Sequence, residues 1–154
     1  MDGRENRSVK RTVAKKQQIT CAAELQSLAL FRQFIDRTCE AYPEIPALND
    51  PQVRYDLKLA VEEACTNIIQ HGYAGMNPGS IILALEISPR RVDITLTDFG
   101  HPFEPGERAA PSPEDLLSGE ATGGFGLFFI YQSMDEVDYE TSEAGNSLYF
   151  VKRL

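Results

Sequence analysis

The chain has 154 residues, 42% of them apolar and 25% charged, a composition suited to one globular core and short for two. Its net charge of -8 is uneven: six Lys/Arg stand against Asp2 and Glu5 through residue 19, and the other nine stand against 21 acids. The acidic body lacks the contiguous basic surface that a phosphate backbone demands, which argues against direct nucleic-acid binding, and no apolar run approaches the roughly 20 residues of a membrane helix.

Residues 1–19 read as a flexible basic tail, with no aromatic side chains for base stacking and little to bury. No apolar export signal follows the first residues. Cys21, Cys39 and Cys65 are isolated, without zinc-site spacing and with an odd count that suits no disulfide framework, so a cytoplasmic, reducing location is expected.

Leu25, Leu28, Leu30, Phe31, Phe34 and Ile35 recur at near-helical spacing and predict a helix from about residue 23 to 41, stopped by Pro43 and Pro46. Asp50-Pro51 has the form of an N-cap with proline in the first turn, and a long helix then runs to His71, where Gly72 ends it. Residues 80–88 and 91–98 alternate as two strands of a hairpin across Pro89-Arg90. Residues 99–122 are rich in proline and glycine with few apolar anchors, and predict a functional lid. A short helix after Gly126 runs to about Ser133, and strands near 137–141 and 147–152 flank the turn Ala144-Gly145-Asn146. The order describes an α/β sandwich with a largely antiparallel sheet in a single domain, residues 20–154.

Three short segments could carry chemistry. On the long helix, Glu63 and Asn67 are four residues apart and project from one face with His71, along the edge of the apolar stripe Leu57, Val61, Ala64, Cys65 and Ile68. A carboxylate can accept a proton and an amide oxygen can hold a hard cation, although both could equally be boundary residues of an amphipathic helix. Glu62 reads as their solvated neighbour. Asp98 shares the parity of Val92, Ile94 and Leu96, so it points into the apolar face, where it needs donors such as the exocyclic amine of adenine. Gly100 would let a planar ligand approach, or Asp98-Phe99-Gly100 could simply be a turn. Gly123-Gly124-Phe125-Gly126-Leu127 opens a helix whose amides would favour phosphate oxygens, or it is a glycine hinge. His71 and His101 read as cap and loop residues.

In order and separation these segments resemble the N, G1 and G2 boxes of the GHKL (histidine-kinase-like) ATPase superfamily, and most of all its anti-sigma-factor serine/threonine kinases. The boxes stand here as Glu63-Ala-Cys-Thr-Asn67-Ile-Ile-Gln-His71-Gly-Tyr73, Asp98-Phe-Gly100-His-Pro-Phe103 and Gly123-Gly124-Phe-Gly126-Leu127. The similarity takes in Met134 to Val137 and the closing stretch from Gly145 to Leu154, and spans about residues 20 to 154.

The resemblance implies a two-layer sandwich of the Bergerat type, a mostly antiparallel mixed sheet with helices on one face. It implies ATP and Mg²⁺ as ligands, with Glu63 as catalytic base and Asn67 holding Mg²⁺. Asp98 and Gly100 would receive the adenine, and Gly123, Gly124, Phe125, Gly126 and Leu127 would wrap the phosphates. It further implies serine phosphorylation of an anti-anti-sigma antagonist and sequestration of a sigma factor, a homodimer, and partner contacts on the Leu25 to Ile35 helix with Arg32 and Gln33. Many such relatives carry a basic residue where Thr122 stands, and Arg108 is the sole Lys or Arg from Asp98 to Gly126, so slow transfer is expected. The alternatives are a catalytically weak, nucleotide-dependent partner-switching module that regulates transcription, and a signalling domain that phosphorylates histidine or hydrolyses ATP.

Overall fold

A computed structural model describes residues 15–102 and 125–154. The elements run β1 (Lys16–Ala22), α1 (Ser27–Glu40), α2 (Pro51–Asn67), β2 (Ser80–Ser88), β3 (Arg91–Asp98), α3 (Phe125–Ser133), β4 (Glu136–Ser142) and β5 (Gly145–Arg153). The strands form one sheet in the order β1-β2-β3-β5-β4, with every neighbouring pair antiparallel. The expected α/β architecture is present, and the sheet is antiparallel throughout.

Alternation builds the core. Ile81, Leu83, Leu85 and Ile87 of β2 and Val92, Ile94 and Leu96 of β3 are all buried, and they meet Phe31 and Ile35 of α1 and Leu57, Val61 and Ala64 of α2 in one apolar cluster. Each such Leu or Ile, fully withdrawn from water, stabilises the fold by about 1.5–3 kcal/mol before its ordering entropy is subtracted. Polar residues of α2 also tie it to α1: Arg32 on α1 reaches Glu62 at 3.0 Å, and Lys58 reaches Asp36 at 3.2 Å. Lys152 of β5 ties the helices to the sheet, donating to Asp56 Oδ2 and to the carbonyl of Ser133, both at 2.9 Å.

Asp50 caps α2 as expected, its side chain accepting from the Gln52 amide at 2.9 Å, with Pro51 in the first turn. Past Asn67 the helix continues to Gly72 as a wider π-type turn, closed by the Tyr73 amide donating to the Ile68 carbonyl at 3.1 Å.

Three boundaries differ from expectation. Lys16 to Ile19, expected within the tail, begin the edge strand β1 and pair with Glu86 to Leu83. Ile19 and Cys21 face inward, but the strand is half solvated and its Lys-Gln-Gln opening masks the alternation. Helix α1 starts at Ser27 rather than near residue 23, because the Ser27 hydroxyl bonds the Ala22 carbonyl at 2.7 Å and the Ser27 amide bonds that of Glu24 at 3.0 Å, closing a turn first. Asn146, expected in the final turn, is a buried residue of β5. Of the expected lid, only residues 99–102 are described; residues 103–122 lie outside the described residues, as do Gly123 and Gly124.

Candidate functional site

Helix α2 and its π-type extension form the spine of the site. Glu63 and Asn67 project together from the C-terminal half of α2 toward the first turn of α3. A Cβ placed on Gly126 would lie 3.0 Å from Glu63 Oε2, and 3.3 and 3.5 Å from the amide nitrogen and oxygen of Asn67. Absence of a side chain at Gly126 therefore lets the start of α3 lie directly over both groups. Among the described residues neither side chain is taken up by a hydrogen bond or an ion pair. Burial, with a smaller contribution from the charge of Glu62, raises the pKa of Glu63 above the ordinary glutamate value. Glu62 itself turns to Arg32, which separates the roles of the two adjacent acids.

The far end of the spine reaches Asp98. Its parity on β3 carries it to the helix-facing side with 6% exposure, as the alternation predicted. A Cβ on Gly72 would approach Asp98 Oδ1 to 3.7 Å. Two protein donors serve that oxygen: the Gly100 amide at 2.9 Å and the Asn146 side-chain amide at 3.1 Å. The sequence reading assigned the need for donors to a ligand alone; for Oδ1 the protein meets it, and Oδ2 takes no hydrogen bond from another described residue.

Backbone contacts fix the loop after β3. The His101 amide donates to the Gly72 carbonyl at 2.6 Å, and a Cβ on Gly100 would run into that same carbonyl. Gly100 thus serves close backbone packing against the end of the α2 spine. The Tyr73 hydroxyl accepts from the Phe99 amide at 3.0 Å and donates to the Ser80 carbonyl at 2.7 Å, locking the end of β3 to the start of β2. Gly145, at φ +127°, is another position where a side chain is unwelcome, since its Cβ would fall 2.9 Å from the Asp98 carbonyl oxygen.

Of the residues singled out in the sequence, Glu63, Asn67 and Gly126 converge at one end, and Asp98 and Gly100 at the other. Leu127 is partly buried against the core, and Phe125 begins α3. His71 is exposed on the π-type turn, and a ring nitrogen of His101 lies 3.1 Å from the Ala74 carbonyl oxygen. Sequence reasoning missed Asn146, Thr141 and Tyr73. No local signal marks Asn146: it stands opposite Asp98 only because β3 and β5 pair in this register.

The two ends are nine residues apart along the spine, about 13 Å at helical rise, a span similar to that from the base to the terminal phosphate of a nucleoside triphosphate. Among the described residues no cluster of three His, Cys, Asp or Glu could hold a metal by itself. A single amide oxygen beside a carboxylate fits Mg²⁺, which keeps several waters and takes much of its coordination from phosphates.

Residues 21–152 match the model of the histidine kinase-like ATPase domain, and the chain belongs to that family. This bears out the resemblance read from the three boxes. The chain is 37% identical over 87 residues to a serine-protein kinase RsbW of Bacillus licheniformis, covering 53% of this chain and 54% of that protein. It is 31% identical over 103 residues to the serine-protein kinase RsbW of Bacillus velezensis, covering 64% of each. The serine/threonine-protein kinase BtrW of Bordetella bronchiseptica is 28% identical over 97 residues, covering 63% of this chain and 68% of that protein. The chain thus spans little more than half the length of the first of these relatives. Among the described residues no helix is long and apolar enough to cross a membrane.

Proposed function

We propose that this member of the histidine kinase-like ATPase family binds Mg·ATP and transfers the γ-phosphate to a serine of an antagonist protein, an anti-anti-sigma factor, while alternately sequestering a sigma factor. The observation that carries the reading is the convergence of two polar side chains, Glu63 and Asn67, on the first turn of α3, neither of them held by a hydrogen bond or ion pair among the described residues. Similarity to proteins named as serine-protein kinases supports the reaction class.

In this reading Asp98 accepts the adenine amine and the start of α3 meets the phosphates with its free amides. Asn67 would hold Mg²⁺ through its amide oxygen, and the ion would supply positive charge to the phosphate oxygens. Glu63 takes the proton of the serine hydroxyl as its oxygen bonds to the γ-phosphorus. The bond from that phosphorus to the β,γ-bridging oxygen breaks and ADP leaves. Glu63 then returns the proton to water. A raised pKa suits a base, because a more basic carboxylate drives proton acceptance better.

The absence of Lys from residues 98–126, with Thr122 where a cation is expected and Arg108 the only Arg, supports slow transfer. It leaves nucleotide-dependent partner switching as the second reading. Incubation with γ-labelled ATP, Mg²⁺ and a serine-bearing antagonist protein separates them. Label on the antagonist serine supports the kinase. Tight ATP binding that alters sigma-factor affinity without any label replaces it with the switching module.

A further inference from the structure

The buried amide of Asn146 touches none of the groups assigned above to the phosphate end, yet it is fully used. Its Nδ2 donates to Asp98 Oδ1 at 3.1 Å and to the Gly100 carbonyl at 3.0 Å, which occupies both of its hydrogens. Its Oδ1 accepts from the Thr141 hydroxyl at 2.6 Å, a contact that orients the amide with its nitrogen toward Asp98. The residue is 3% exposed, and β5 holds it directly opposite Asp98 while β4 holds Thr141 directly opposite Asn146. The strand pairing thus lines up hydroxyl, amide and carboxylate in one row across three neighbouring strands.

We infer that Asn146 is a positioning residue for base recognition: with Thr141 behind it, it holds Asp98 Oδ1 and the Gly100 carbonyl so that Asp98 Oδ2 is presented to the exocyclic amine of an adenine nucleotide. This rests on the nucleotide reading above and names the groups that set its base selectivity. Oδ1 already accepts two donors, from Gly100 and Asn146, so a third partner is directed to Oδ2. Without Asn146 the carboxylate can rotate about its terminal bond, a broad torsion, and divide its acceptors between the loop and the base. The Gly100 carbonyl would lose its brace in the same step. A charge-assisted hydrogen bond of the kind lost is among the stronger polar contacts, and its loss is read as selectivity for the amine rather than as affinity for phosphates.

The test compares ADP with purine riboside 5′-diphosphate, which lacks only the amine, by calorimetry on the native chain and on Asn146→Leu and Thr141→Val. Native protein should prefer ADP by about tenfold or more. Asn146→Leu should reduce that preference to about threefold or less, and Thr141→Val, which leaves Asn146 in place but frees its orientation, should give an intermediate value. Thermal unfolding of each variant establishes that it is folded. A preference that survives intact in a folded Asn146→Leu overturns the assignment, as does an undiminished preference in Thr141→Val should the leucine variant fail to fold. Failure of native protein to bind ADP at all overturns the nucleotide reading and this inference with it. Tight binding of both diphosphates without preference overturns only the role given to Asp98 and Asn146.

Discussion

Gly126→Ala separates the proposed chemistry from the stability of the fold. A methyl group there would lie 3.0 Å from Glu63 Oε2 and 3.3 Å from Asn67 Nδ2, whereas ordinary contact begins at 3.4 Å. Glu63 must therefore retreat by about 0.4 Å or turn away, and Asn67 must give by about 0.1 Å. Both contacts are ends of flexible side chains, so the protein can yield without rebuilding its backbone. Gly126 has no left-handed φ that alanine would resist, and alanine is favoured over glycine within a helix by up to ~1 kcal/mol. Stability should accordingly change by less than ~1 kcal/mol in either direction. Function should not be spared, because misplacing a reacting group by about 1 Å can cost a hundredfold, and a shift of half that costs about tenfold. Phosphoryl transfer to the antagonist should fall by about tenfold, with a smaller loss in the Mg²⁺ dependence of ATP binding. Single-turnover transfer, calorimetry with and without Mg²⁺, and thermal unfolding read the three quantities. Unchanged transfer in a folded variant would refute the placement of Glu63 and Asn67 at the reacting end. A large drop in unfolding temperature would show instead that the close approach at Gly126 is structural.

Glu63→Gln should cut transfer by about 10²–10⁴ while leaving ATP affinity nearly intact, and the rise of the native rate with pH, centred above the ordinary glutamate value, should vanish in the variant. The same shift has a stability sign. Folding disfavours the charged form, so the native chain loses stability as pH rises from the ordinary glutamate value through the higher folded value. Glu63→Gln should then be the more stable protein at neutral pH, and that advantage should disappear below about pH 4.5 in denaturant titrations. Asp98→Asn should weaken ATP and ADP alike, and GTP should compete poorly against ATP on native protein; equal competition by GTP would remove Asp98 from base recognition. Lys152→Met strands the 15%-exposed Asp56 carboxylate and a helix-terminal carbonyl, and should cost about 2 kcal/mol in urea unfolding without changing the ADP preference over purine riboside 5′-diphosphate.

Much of the architecture could be read from local pattern, because local pattern has local causes. The parity of Val92, Ile94, Leu96 and Asp98 follows from the pleat of one strand, and the Asp50-Pro51 start of α2 from one cap. Glu63 and Asn67 share an edge because i and i+4 do so on any helix. Nothing in β1 or around residue 146 has so local a cause. Lys16 to Ile19 become a strand only because β2 offers them a partner edge, and the turn-like Gly145-Asn146 conceals a buried amide whose position comes from its register with Asp98, 48 residues away. The approach of α3 to Glu63, and of the Gly72 carbonyl to Gly100, likewise arises where separate elements pack. Composition and spacing therefore determine which residues can carry chemistry and which face they occupy. Pairing across the sheet and packing of α2 against α3 decide which of them meet, since those contacts join residues whose nearness no local periodicity encodes.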